Sequence, residues 1–141
     1  MTAKEYLMQV YRLDQMIESN NREVMQLKEA CVSVSSPVGG DKVKTSSKTD
    51  ALYVRCIEKA IELEQEINEE TERMMELKKQ VRETISTCGN VDEELVLKYR
   101  YIHGMPWEEI ADKMIESVSA AKGQHARALE HIKLPVNPII I

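Results

Sequence analysis

Leu97-Lys98-Tyr99-Arg100-Tyr101-Ile102-His103-Gly104-Met105-Pro106-Trp107-Glu108-Glu109-Ile110-Ala111 carries a helix stop and a helix start almost back to back. Leu95, Val96, Tyr99 and Ile102 form the apolar face of a helix that Gly104 ends. Pro106, with its fixed φ and no N–H, opens the next helix, which runs from Trp107 to about Met114 with Ile110, Ala111 and Met114 inward. Ser117 can cap a third helix whose inward positions are Ala121, His125, Ala128, Leu129 and Ile132, and Pro135 and Pro138 end it. This is the layout of a helix-turn-helix. The small Ala111 lets two helices approach closely, and the capped third helix offers its N-terminal face to a major groove.

Upstream, Cys88-Gly89-Asn90 reads as a helix end, and the acids Asp92-Glu93-Glu94 suit the positive end of the helix that follows. Before that break, apolar residues advance in alternating steps of three and four. The first seam is Ala3, Tyr6, Val10, Leu13, Ile17, Asn20, Val24, Leu27 and Cys31; the second is Tyr53, Cys56, Ala60, Leu63, Ile67, Glu70, Met74, Leu77, Val81, Thr84 and Cys88. Such heptad seams predict two coiled-coil-like helices, over residues 3–31 and 51–88, capped by Thr2 and Asp50. Residues 33–50, with Pro37, Gly39-Gly40 and many Ser and Thr, read as the connecting loop; Lys42, Lys44 and Lys48 there are solvated or meet phosphate. The fold class is therefore all-α: a long antiparallel helical hairpin over residues 1–90, a helix-turn-helix domain over 91–134, and a tail over 135–141. The expected register sets Cys31 opposite Tyr53, Ile17 beside Ile67 and Val10 near Met74. Two helices leave apolar edges uncovered, so a homo-oligomer, most simply a dimer, is expected through seam residues such as Leu13, Ile17, Leu63, Ile67, Met74 and Leu77, with Met75 on the flank. Asn20 and Glu70 fit a role in specifying register or partner.

Composition narrows the function classes. Net charge is −5, so the chain is not a basic nucleic-acid coat and any DNA contact must be local. Phe is absent and aromatics make up 4%, which argues against an aromatic-lined pocket for a large cofactor; no cofactor is expected. No apolar run nears the ~18 residues of a membrane span and no signal-peptide core follows Met1, so a cytoplasmic protein with no membrane partner is expected. Cys31, Cys56 and Cys88 lack metal-type spacing and read as reduced thiols. His103, His125 and His131 have no companions at zinc spacing, and no nucleophile–base pair is visible, so the chain does not read as an enzyme. Trp107 reads as a core anchor between helices and His125 as a packed core histidine.

The order Glu109-Ile110-Ala111, then the Ser117 cap, then Ala128-Leu129, resembles the promoter-reading C-terminal domain of sigma factors. The chain as a whole resembles the small phage and prophage late transcription regulators of the autolysin-regulator-like (ArpU/RinA-type) families. The shared features are Arg100-Tyr101-Ile102, Trp107-Glu108-Glu109-Ile110-Ala111, His125, Ala128-Leu129, and Ser36-Pro37 with Gly40-Asp41-Lys42-Val43 ahead of a long charged helix. The resemblance implies late-gene transcription activation by promoter binding, with or near RNA polymerase. By position on the third helix, Val118, Ser119 and Lys122 would face base edges, with Lys113, Arg127 and Lys133 as phosphate contacts. In residues 92–134 the cations Lys98, Arg100, Lys113, Lys122, Arg127 and Lys133 are outnumbered by acids, which predicts weak, salt-dependent DNA binding by the chain alone. The alternative is a helical protein-interaction module, or a phage assembly or packaging adaptor, without sequence-specific DNA binding.

Overall fold

The computed structural model describes residues 1–35 and 46–141. All of them lie in helices, turns or loops, and no strand forms among the described residues, so the protein is all-α. Helix α1 spans Ala3–Ser35 and α2 spans Ser46–Ile85, followed by a 3-10 turn over Ser86–Cys88. Then come α3 (Val91–Leu97), a π-helical turn (Lys98–Ile102), α4 (Trp107–Met114) and α5 (Val118–His131). Helix α1 outruns its expected end at residue 31, and α2 starts before residue 51. Asp50, expected as a cap, therefore sits inside α2, and only the part of the expected loop at 36–45, with Pro37, Gly39-Gly40, Lys42 and Lys44, lies outside the described residues. The side chain of Lys48 also lies outside the described ones.

The chain divides into two compact units, one of Met1–Asp14 with Arg73–Ile141, the other of Gln15–Glu72. In the first, Thr2 caps α1 through a reciprocal pair. Its Oγ1 accepts from the Glu5 N–H at 3.2 Å and its N–H donates to Glu5 Oε2 at 2.8 Å, which holds the Glu5 carboxyl below its usual range. Tyr6, Leu7, Val10 and Leu13 from α1 and Met74, Leu77, Val81 and Ile85 from α2 are buried there. So are Val96, Leu97, Tyr101, Ile110, Ala111, Ala121, Ala128 and Ile132. Thr84, polar in the seam, is buried at no cost in pairing because its hydroxyl donates to the Gln80 carbonyl one turn back, at 2.9 Å. Gly89 ends the 3-10 turn at φ 77°, where a Cβ would be strained.

In the second unit the helices run antiparallel, since Cys31 neighbours Cys56, Lys28 pairs with Glu64, and the Asn20 amide donates to Glu70 Oε2 at 2.9 Å. Val24, Cys31, Ala60 and Ile67 are buried, and Ile17, Leu27 and Leu63 are half-buried. The register differs from the expected one by about one seam layer: Cys31 meets Cys56, Tyr53 is left exposed, and Val24 with Asn21 shares a groove with Ile67. The two polar seam residues explain the slip. Asn20 and Glu70 satisfy each other only when their layers come together, and an unpaired polar group in an apolar seam is costly. Burial, with Cys56 beside it, pushes the Cys31 thiol up.

Candidate nucleic-acid interface

The helix-turn-helix is assembled from local signals. Asn90 is extended, and its side chain caps α3 by accepting from the N–H groups of Asp92 and Glu93 at 2.9 and 3.1 Å. Glu93 is not a solvated acid. It is buried, and its Oε2 bonds the His131 Nδ1 at 2.8 Å, tying the first turn of α3 to the last turn of α5. After Leu97 the backbone widens into the π-helical turn, closed by the His103 N–H donating to the Lys98 carbonyl at 3.0 Å. Gly104 then turns left-handed at φ 64°, and Pro106 leads into α4.

The π turn projects Arg100 and Tyr101 toward α4 and α5. The Arg100 guanidinium donates to the Met105 carbonyl at 3.1 Å and lies 4.7 Å from the centroid of the Trp107 ring. The Lys122 ammonium, from α5, is 6.0 Å from the same ring. His125 meets Trp107 edge-on at 5.1 Å, stacks on Tyr101 at 5.5 Å, and shares a 2.6 Å hydrogen bond with its hydroxyl. Burial lowers the His125 pKa to about 4, assisted by the positive charges of Lys4 and Arg100, and burial raises the Tyr101 phenol to about 12. Both groups are therefore neutral near pH 7. The cluster packs and hydrogen-bonds His125 as expected of it, but Trp107 and His125 are both half-buried, so Trp107 braces the rim of the helices and is not the core anchor expected. The neighbouring Arg100 and Lys4 carry charges that the periodicity alone did not bring to this place.

Between α4 and α5, Ile115 takes the left-handed conformation at φ 55° and ψ 49°, and its N–H and that of Glu116 return to carbonyls of the last turn of α4. A β-branched residue is strained there, and Ile115 is also 92% exposed, so it fills the turn without contributing to the core. Ser117 caps α5, its Oγ accepting from the Ala120 N–H at 3.1 Å. The small residues Ala111 on α4 and Ala121 and Ala128 on α5 are buried, which permits the close crossing of these helices.

Of the residues expected to meet DNA, Ser119 and Lys122 are exposed on the first turns of α5, and Val118 is half-buried. Lys113, on the last turn of α4, and Arg127, toward the end of α5, are exposed as well. Lys133 lies just past α5; its N–H donates to the Thr87 Oγ1 at 2.8 Å, and the residue is exposed. Lys122 and Arg127 do not simply project outward: Lys122 leans over Trp107, and a guanidinium nitrogen of Arg127 approaches Gly123 closely enough to lie 3.5 Å from the place of an added Cβ. Among the described residues no three His, Cys, Asp or Glu side chains gather as a metal site, and no helix is long and apolar enough to cross a membrane. Beside this module, Met8, Tyr11, Arg100, Tyr101, Gly104 and Pro106 line an open cavity of about 430 Å³.

Comparison with family models matches residues 32–130 to the family described as protein of unknown function (DUF1492), and the chain belongs to that family. The match takes in α2 to nearly the end of α5 and leaves out most of α1 and everything after residue 130. No curated protein and no solved structure matches the chain.

Proposed function

We propose that the protein is a DNA-binding transcription regulator that uses α4, the Ile115 turn and α5 as a sigma-like helix-turn-helix. The observation that supports this reading is the presentation of α5: a Ser117-capped helix N-terminus with Ser119 and Lys122 exposed beside it, held from behind by buried alanines and the Trp107 cluster. A helix N-terminus with exposed small polar and cationic side chains suits entry into a major groove. Ser119 and Lys122, with Val118 partly accessible, would read base edges, while Lys113, Arg127 and Lys133 would hold phosphates. The finer reading, by resemblance, is a late-gene activator of the ArpU/RinA type acting at a promoter with RNA polymerase, in the cytoplasm and without catalytic activity of its own.

The acidic surplus around the module keeps intrinsic affinity low, so a dimer would raise it by engaging two half-sites. Unit Gln15–Glu72 carries Met25, Val54 and Ile61 exposed beside the seam, which a second copy of the chain would cover. The same exposed residues favour a second reading, in which the hairpin is the working surface of an interaction module.

DNA captured at low salt from a host-plus-prophage library tests the first reading, followed by fluorescence anisotropy on the captured fragment. Lys122→Glu is expected to abolish specific binding with the helical circular-dichroism signal intact. Lys133→Ala is expected to weaken binding to all sequences and to lower the salt slope by roughly one. If Lys122→Glu binds like the parent, α5 is not the reading element and the interaction module takes its place.

A further inference from the structure

After α5 the chain has no helix: Leu134-Pro135-Val136-Asn137-Pro138-Ile139-Ile140-Ile141 runs irregularly, as two prolines dictate. Two glutamine side chains hold it. Gln80, on α2, accepts from the Ile139 N–H at 2.8 Å and donates to the Asn137 carbonyl at 3.0 Å. Gln9, on α1, donates to the Ile139 carbonyl at 2.9 Å and accepts from the Ile141 N–H at 2.9 Å. Both amides are themselves braced: the Tyr6 hydroxyl donates to Gln80 Oε1 at 2.7 Å, and Gln9 Nε2 also reaches the Tyr6 carbonyl at 3.2 Å.

The bonded groups belong to residues 137, 139 and 141, every second residue, which is the spacing along one edge of an extended strand. The hydrogen bonds are all to the main chain, while the side chains of Pro138 and Ile139 are half-buried. Val136 is 96% exposed and Ile140 63%, so these two side chains project into water. The device therefore resembles strand addition, with two side-chain amides in place of a sheet edge. Gln9 is buried, at 7% exposure, so an empty cradle would leave its Oε1 without the Ile141 N–H and its Nε2 with the Tyr6 carbonyl alone, which is costly. Exchange of one extended segment for an identical one conserves every bond. Opening without replacement conserves none.

We propose that the Gln9–Gln80 cradle is a peptide-docking site that takes residues 137–141 of a second copy of this chain, by exchange with its own. The segment seated in it shows that this sequence fits. Three residues, 134–136, separate Lys133, whose N–H is held by Thr87 Oγ1, from Asn137, so exchange brings the two cradles close together, and it conserves contact energy because the segments are identical. The proposal stands apart from the DNA reading, because neither the two glutamines nor residues 137–141 are among those assigned to DNA.

The test uses the full chain with Cys31, Cys56 and Cys88 replaced by alanine and a benzophenone attached at Val136→Cys. Light and heavy-isotope populations are mixed in equal parts at high micromolar concentration, irradiated and mapped by mass spectrometry. Links from residue 136 to the segments around Gln9 and Gln80 that join a light to a heavy chain are expected, and Gln9→Leu with Gln80→Leu is expected to remove them. Links within one isotope only, or mixed links that survive the glutamine substitutions, overturn the proposal. A second measurement needs no altered protein: a fluorescent peptide of residues 134–141 is expected to bind the unsubstituted chain, and the same peptide with Ile139→Pro, which lacks the N–H that Gln80 accepts, is expected not to. Equal behaviour of the two peptides overturns the proposal as well.

Discussion

Leu77 and Leu63 hold equivalent places in the heptad pattern of α2, and their surroundings differ. Leu77, in the unit of Met1–Asp14 with Arg73–Ile141, is fully buried, as are Tyr6, Leu7, Val10, Val81 and Ile85 in the same unit. Leu63, in the unit of Gln15–Glu72, is half-buried, and so are Ile17 and Leu27. The spacing is the same in both. What changes is the number of elements available to cover it. In the first unit the short helices supply Val96, Leu97, Ile110 and Ala121 to the core, and Ile132 follows just past α5; among the described residues of the second, only α1 and α2 are present. A helix pair buries one stripe of each partner and leaves the flanks to water. A heptad seam thus specifies which residues face inward and leaves undetermined how completely they are enclosed.

The largest expected effect separates the two leucines directly. Leu77→Ala should cost about 3 kcal/mol, in the range for a fully enclosed leucine that leaves a cavity. Leu63→Ala should cost about 1–1.5 kcal/mol, since part of its surface is already solvated and the gap can be filled by water or by neighbouring side chains. Urea denaturation of the two variants measures both. Equal losses would mean that the second unit is covered in solution, most simply by a second copy of the chain, and sedimentation at tens of micromolar would then show a dimer that Leu63→Glu dissociates.

The legibility of the sequence follows the same division. Periodic and local signals were readable: the two seams, the Thr2 and Ser117 caps, the Gly89 break and the inward positions of α5 all rest on residues within one or two turns of each other. The helix ends near the connection and the Asp50 cap differ from expectation, because Ser and Thr there suggest a loop while α2 extends through Ser46, Ser47 and Thr49. The Glu93–His131, Tyr6–Gln80 and Gln9–Ile139 bonds join residues that only the folded chain brings together. No period connects them. Gln9 and Gln80 fall between the seam positions, where a polar residue reads as solvated, and the π turn that aims Arg100 at Trp107 leaves no composition signature.

The enclosed unit also holds a histidine that makes stability depend on pH. His125 is neutral in the folded protein, with its pKa lowered from 6.5 to about 4. The unfolded chain binds a proton at this residue near pH 6.5 and the folded one does not, so the contribution is complete above that value and is lost as pH falls toward 4. Between pH 7.5 and 5 the loss should be about 1 kcal/mol, a value reduced for the imidazole's partial contact with water. Subtracting the pH dependence of His125→Gln from that of the parent isolates this term from the carboxylates. A flat difference would place the ring in water and remove it from the enclosed unit.

The smallest effect has the opposite sign. Gly123 lies inside α5, in the well-packed unit, and its φ is not positive. An added Cβ there would meet only a guanidinium nitrogen of Arg127, at 3.5 Å, an ordinary contact with the movable end of a long side chain. Packing therefore does not demand glycine, while helix propensity disfavours it by about 1 kcal/mol against alanine. Gly123→Ala should raise stability by about 0.5–1 kcal/mol, read as a higher melting temperature, and should leave the pH dependence from His125 unchanged. A loss of stability instead would mean that Arg127 is held where it lies, so that enclosure in this unit extends to its surface. A gain in stability accompanied by weaker DNA binding would show that the glycine serves the approach of α5 to the groove, and that the well-packed unit gives up stability at the one helix where the proposed function requires access.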